Sequence, residues 1–142
     1  MRLRRLVLIA LVLASCKKKS AHQDADYEVA RTIGNDVLGK ASAALAAAKA
    51  NTPRSPELGL ESCNAAVAVI PQLRLGPDVL LATELDALCG HDLPLAELGV
   101  AVTAVEADPA ACATTMYAAT AIALLRDPSN ELAKRYRARC PT

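Results

Sequence analysis

Aromatic residues are almost missing from this chain. Its 142 residues include no phenylalanine, no tryptophan and three tyrosines, Tyr27, Tyr117 and Tyr136. Stacking on bases or sugar rings needs aromatic platforms, so both modes of recognition are disfavoured. A charge excess of either sign is also missing: the formal net charge is +1, which is not the basic balance of a nucleic-acid-binding domain. The only two histidines, His22 and His91, stand 69 residues apart and offer little for metal catalysis. There is no Cys-x-x-Cys pair, which excludes thioredoxin-like, zinc-ribbon and haem-attachment motifs. A Gly-rich phosphate loop and a Gly-x-Ser-x-Gly elbow are absent too. No cofactor, no metal site and no enzymatic activity are expected.

What is present is concentrated first at the N-terminus. Arg2, Arg4 and Arg5 precede an apolar run from Leu6 to Leu13, which leads through Ala14 and Ser15 to Cys16. Charge, then grease, then small residues is the order of a secretory signal. A membrane span is the competing reading. The nine residues Leu6 to Ala14 reach only about 14 Å as a helix, whereas a bilayer core needs on the order of 20 apolar residues. Lys17, Lys18 and Lys19 follow at once. A cut without lipidation would leave Cys16 as an exposed free thiol in an oxidising compartment.

Leu13-Ala14-Ser15-Cys16 resembles the leader of bacterial lipoproteins; the resemblance covers residues 1–16 only. Cleavage would fall between Ser15 and Cys16. The resemblance implies that Cys16 carries a thioether-linked diacylglycerol and an amide-linked acyl chain, and two or more chains anchor firmly. In members from cells with two membranes, Asp after the cysteine favours inner-membrane retention; Lys17 there implies the outer membrane. The expected division is a signal peptide at 1–15, a lipidated tether at 16–23 and a helical domain at 24–142.

Without residues 1–15 the chain has 127 residues, 13 basic and 15 acidic, a net charge of −2, enough for one small domain. The basic residues Lys134, Arg135, Arg137 and Arg139 near the C-terminus read as complements to the negative end of a last helix. Alanine occurs 30 times. An Ala-rich core lets helices approach closely but buries little area per residue, at about 25 cal/mol per Å², and such a domain benefits from covalent staples. Cys63, Cys89, Cys112 and Cys140 are an even number in an exported domain and read as a disulfide framework.

The domain reads as all-α, a small disulfide-stapled bundle of five to six helices. Ser55-Pro56, Gly76-Pro77, Asp108-Pro109 and Asp127-Pro128 each put a capping residue before proline, and Asp92-Leu93-Pro94 is a close variant. Apolar stripes at steps of three and four agree: Val29, Ile33, Val37, Ala41 and Leu45; Leu60, Cys63, Val67 and Ile70; Leu81, Leu85 and Leu88; Leu95, Leu98, Val102 and Val105. Ala118, Ile122 and Leu125, then Leu132, Tyr136 and Cys140, complete the series. Helices are expected over about 24–51, 56–74, 77–89, 93–107, 109–126 and 128–139. No sustained period-two pattern argues for strands.

Short loops make sequential helices antiparallel neighbours, and this selects a disulfide pairing. Cys112 lies 14 residues before Arg126 and Cys140 lies 12 after Pro128, depths that differ by about 3 Å. Cys63 lies 12 before Leu75 and Cys89 lies 12 after Pro77, provided the second helix runs through Pro71; an end at Ile70 would open an offset of about 7 Å. The expected pairs are therefore Cys63–Cys89 and Cys112–Cys140, each stapling a helical hairpin. The near-equal spacing of the two pairs raises the idea of a diverged duplication.

Cys89-Gly90-His91-Asp92 is the one stretch with the composition of a site. The structural reading of it is stronger: an oxidised Cys89, a helix C-cap at Gly90, a helix N-cap at Asp92 and His91 on an exposed turn. Glu57 and Glu61, or Glu84 and Asp86, read as solvated charges rather than paired catalytic carboxylates, and His22 as a tether residue. Two functions remain. One is a structural or interaction module, held at the membrane through Cys16 and binding another envelope protein or a cell-wall component, with no nucleic acid. The other is a binding module for a small apolar ligand inside the bundle.

Overall fold

The computed structural model describes the backbone from Arg2 to Pro141 and side chains from Gln23 to Pro141. Ser15, Cys16 and His22, the expected cleavage, lipidation and tether residues, lie outside the described side chains. Among the described residues there are six α-helices: α1 (Arg2–Lys49), α2 (Pro56–Arg74), α3 (Val79–Ala87), α4 (Leu93–Ala107), α5 (Tyr117–Leu124) and α6 (Glu131–Arg139). A π-helical turn, Leu88–Asp92, joins α3 to α4, and a 3-10 turn, Pro109–Ala113, follows α4. The fold is all-α and carries both expected disulfides, Cys63–Cys89 and Cys112–Cys140, with Cα–Cα distances of 5.3 and 5.6 Å.

α1 and α2 form the largest helix pair, α3 packs on α2, and α4 packs against α1, α5 and α6. Small residues set these approaches. A Cβ on Gly59 would lie 2.3 Å from Ala44 Cβ, and one on Gly34 would press Leu73, Leu81 and Leu85 at 3.1–3.2 Å. The buried line of α1 is accordingly Ala30, Gly34, Val37, Ala41 and Ala48, and Val29 is 60% exposed. Val67 is likewise exposed while Ala66, Val69 and Leu73 are buried. Both corrections have one cause: in an alanine-rich chain the contact face follows the smallest residues, where backbones come closest.

The helix ends follow their local chemistry. α1 stops in a Schellman motif: Asn51 has a φ of 50°, its N–H reaches Ala48 O, and the Thr52 N–H reaches Ala47 O. α2 runs through Pro71, as the Cys63–Cys89 pairing requires. Pro71 leaves the Val67 carbonyl without its helical donor, and both residues lie on the exposed face of the helix.

The largest departure from expectation is at 88–93. Gly90 is not a C-cap and Asp92 is not a side-chain N-cap: Ala87, Leu88, Asp92 and Leu93 all keep right-handed helical dihedrals, and the Leu93 N–H bonds Leu88 O, five residues back. Val79–Ala107 is thus one 29-residue path. It is apolar and long enough to cross a membrane by length and composition, yet half of its most apolar window is buried inside the domain, and Leu85, Leu93, Leu98, Ala101 and Val105 are fully buried core residues. Pro94 has no N–H for the Gly90 carbonyl and its ring crowds that carbonyl. The π turn relieves the crowding, and the Arg126 N–H bonds Gly90 O instead at 3.1 Å.

The expected helices 77–89, 109–126 and 128–139 all start late. Asp78, not Gly76, precedes α3, because Tyr27 and Asp78 hold each other: the Tyr27 hydroxyl donates to Asp78 Oδ2 at 2.8 Å and accepts from the Asp78 N–H at 2.9 Å. Asp108 caps Ala110 as expected, but only a 3-10 turn follows. The chain then breaks at Thr115, whose carbonyl accepts from the Tyr136 hydroxyl of α6 at 3.0 Å. Asp127 accepts from the Ser129 N–H and hydroxyl, an Asx turn that competes with helix, so the N-cap moves to Asn130, which accepts from the Leu132 N–H. In consequence the second expected hairpin does not form: α6 packs on α4, and Cys112–Cys140 ties the 3-10 turn to the end of α6. The first bridge joins α2 to the π turn instead, so the two do not occupy equivalent places, as a duplication would require.

Removing either bridge by paired Cys→Ala substitution should cost about 3.5 kcal/mol from loop-closure entropy, given separations of 26 and 28 residues. Cys63 and Cys89 are buried whereas Cys112 and Cys140 are half-buried. The Cys63→Ala/Cys89→Ala protein should therefore lose more stability in urea unfolding than Cys112→Ala/Cys140→Ala. Equal losses would place the cost in chain entropy alone.

Candidate functional site

The residues of Cys89-Gly90-His91-Asp92 do not converge on a reaction centre. Cys89 is 3% exposed and closed in a disulfide. His91 Nδ1 lies 2.8 Å from Asp92 Oδ1, and both side chains are exposed. The aliphatic part and Nε of Arg126 cover Gly90, where a Cβ would meet them at 3.0–3.6 Å. Arg126 also reaches Asp86 at 2.8 Å, and Arg74 meets the same carboxylate oxygen at 2.8 Å. Asp86 is therefore a two-arginine clamp between α2, α3 and the end of α5, not half of a carboxylate pair with the exposed Glu84. Glu57 accepts from the Ser55 hydroxyl at 2.7 Å, which lowers its pKa from the ordinary glutamate value. Glu61 is exposed. Among the described residues, no three His, Cys, Asp or Glu side chains cluster to hold a metal ion.

The buried charge of the fold lies elsewhere and went unmarked in the sequence. Glu97, on α4, is fully buried. Arg54, in the α1–α2 connection, grips it with two parallel bonds, Nε to Oε1 at 2.9 Å and Nη2 to Oε2 at 3.0 Å. Arg54 Nη1 also donates to Ala47 O and Thr52 O at 3.3 Å each, so one guanidinium closes the C-terminal end of α1 onto α4. The Tyr117 hydroxyl has its pKa raised, first by burial and then by the Glu97 charge. Arg54 and Glu97 satisfy each other, and no buried side-chain polar atom is left without a partner among the described residues. The one signal available in the sequence was a glutamate inside an otherwise apolar stretch, with its partner 43 residues away.

Beside Arg54, α1 and the start of α2 border an open groove of about 560 Å³, lined by Lys40, Ala43, Ala44, Ala47, Leu58 and Glu61 among others, with the close Gly59–Ala44 crossing in its wall. Its floor is apolar and its rim carries charges of both signs. Leu58 stands 68% exposed at its edge.

Removing the arginine alone, Arg54→Leu, should destabilise the fold by about 3–5 kcal/mol, since it leaves Glu97 charged, buried and alone. The double substitution Arg54→Leu/Glu97→Met should restore most of that loss in denaturant unfolding, because a shape-matched apolar pair replaces the ion pair. His91→Ala should leave both the melting curve and any cellular phenotype of the parent unchanged; a lost phenotype with intact folding would mark His91 as functional. No protein-family model, curated protein or solved structure matches this chain.

Proposed function

We propose that this chain is an exported lipoprotein, cut between Ser15 and Cys16 and anchored in the cell envelope through acyl chains on Cys16. In a cell with two membranes its place is the outer one. Its helical domain works by docking another envelope protein or a cell-wall component rather than by catalysis. The observation that carries the reading is the run Arg2 to Cys16, with basic residues, seven apolar residues and then Leu13-Ala14-Ser15-Cys16. Two facts support it. Four of the five cysteines are used in the two disulfides, as suits an oxidising compartment, and Cys16 takes part in neither. The groove between α1 and α2 is open to solvent, which supports surface docking over a ligand enclosed in the bundle.

Anchoring is tested with an alkyne-tagged fatty acid in growing cells. The parent should incorporate the label and fractionate with membranes, and Cys16→Ser should do neither; label that persists in Cys16→Ser sinks the proposal. Docking is tested by crosslinking in intact cells. Leu58→Glu should keep the membrane fraction and the fold but lose the crosslinked species of the parent, and an unchanged crosslinking pattern removes the groove from the reading.

A further inference from the structure

Three of the seven large apolar side chains that stand exposed among the described residues lie at one turn at the end of the bundle; Val29, Leu58, Val67 and Met116 are the others. Leu75, Val79 and Leu80 are 90%, 50% and 71% exposed and flank Gly76-Pro77 in the turn between α2 and α3. α1 passes this turn at the start of its described side chains. Gln23 and Tyr27 share one open groove with Leu75 and Pro77. Gly76 lies against the Tyr27 ring, where a Cβ would come within 2.1 Å of a ring carbon, and the Tyr27 hydroxyl makes its two bonds to Asp78. The turn is therefore fixed level with Gln23.

Cys16 is seven residues from Gln23, a span that cannot exceed about 25 Å even fully extended. Acyl chains on Cys16 would thus enter a bilayer within that distance of the turn. The connection contains Lys17, Lys18 and Lys19, cations suited to anionic head groups. We infer that the Leu75–Leu80 turn is a foot that rests on the same bilayer that holds Cys16, its apolar side chains set into the head-group layer. The inference rests on the lipid anchor of the proposed function and adds an orientation to it. The contact is shallow. Asp24 and Gln72 line the adjoining groove, and Asp78 is paired with Tyr27 and Arg31, so the polar groups around the foot stay at the interface while Leu75 and Leu80 enter it. Lys40, Arg54 and Leu58 sit at the other end of α1 and α2, and the foot turns the docking groove away from the membrane.

The absence of tryptophan from the chain makes a clean probe possible. Leu75→Trp and Leu80→Trp each introduce the sole indole at an exposed position, and Leu58→Trp does so at the far end. The full-length processed protein, purified from membranes, is reconstituted into vesicles of phosphatidylethanolamine and phosphatidylglycerol, with and without brominated acyl chains. Anchoring is read separately by vesicle flotation, and the fold by non-reduced peptide mapping of the two disulfides. The expected result is flotation of all three proteins, with a blue shift and bromine quenching in Leu75→Trp and Leu80→Trp and neither in Leu58→Trp. Floating protein whose Leu75→Trp and Leu80→Trp emission stays unshifted and unquenched overturns the foot and leaves the anchor standing. Protein that does not float overturns both. A blue shift that grows with protein concentration in the absence of vesicles overturns the foot in favour of a second copy covering the turn.

Discussion

A carboxylate with no solvent exposure has to be answered by the protein itself, and in this fold Arg54 is the answer to Glu97. The pair is bidentate, and the same guanidinium takes up carbonyls at the end of α1. Three elements meet on one cation: the Schellman end of α1, the connection into α2 and the middle of α4. Desolvating both charges makes the pair a modest source of stability at best. What it imposes is position, since any other placement of the α1–α2 connection strands a charge in the interior. The crossing at Gly59 and Ala44 and the opening of the groove beside Leu58 both follow from where that connection is held.

The remaining interior is built from small residues. With no phenylalanine or tryptophan to fill volume, density comes from close backbone approach at Ala30, Gly34, Ala41, Gly59 and Ala66, and leucines on α2, α3 and α4 supply most of the apolar bulk. Such packing gains little area per contact, which is why tethers of other kinds recur: the buried Cys63–Cys89 bridge and, nearer the surface, the Cys112–Cys140 bridge, the Asp86 clamp, and the Glu106–Arg135 pair that joins α4 to α6 with two bonds of 3.0 and 2.7 Å. Those bonds hold the Glu106 carboxyl below the usual carboxylate range.

The proline-marked junctions and three-four apolar spacing made the helical class legible, and the cysteine depths made the pairing legible. The pairing of Cys112 with Cys140 nevertheless arises differently from the expected reason, since Cys112 sits in a 3-10 turn and not on a long helix. Start positions slipped wherever an aspartate found a nearer partner than its helix, as Asp78 did in Tyr27 and Asp127 in Ser129. Gly90, Asp92 and Pro94 read together as a break because each is a local stop signal; a tertiary bond from the Arg126 N–H to Gly90 O and a π turn carry the helix across instead. Period counting put Val29 and Val67 inside, where alanine and glycine neighbours won by size. The Arg54–Glu97 pair was beyond local reading, because a buried glutamate and a solvated one look alike until the partner is placed. For the candidate site, the sequence marked Cys89 to Asp92, which the fold disperses, and gave no sign of the α1–α2 groove.

Cys63 bonds Cys89 and Cys112 bonds Cys140, so along the domain every cysteine takes the next one as its partner. The two covalent loops lie end to end, neither nested nor interlaced. A chain that emerges N-terminus first from a ribosome or a translocation pore presents Cys63 and Cys89 before Cys112 appears, and among the four cysteines of the domain the earliest available oxidation is already the native one. Connectivity of this kind needs no reshuffling of thiols, and each loop can close on the elements already delivered.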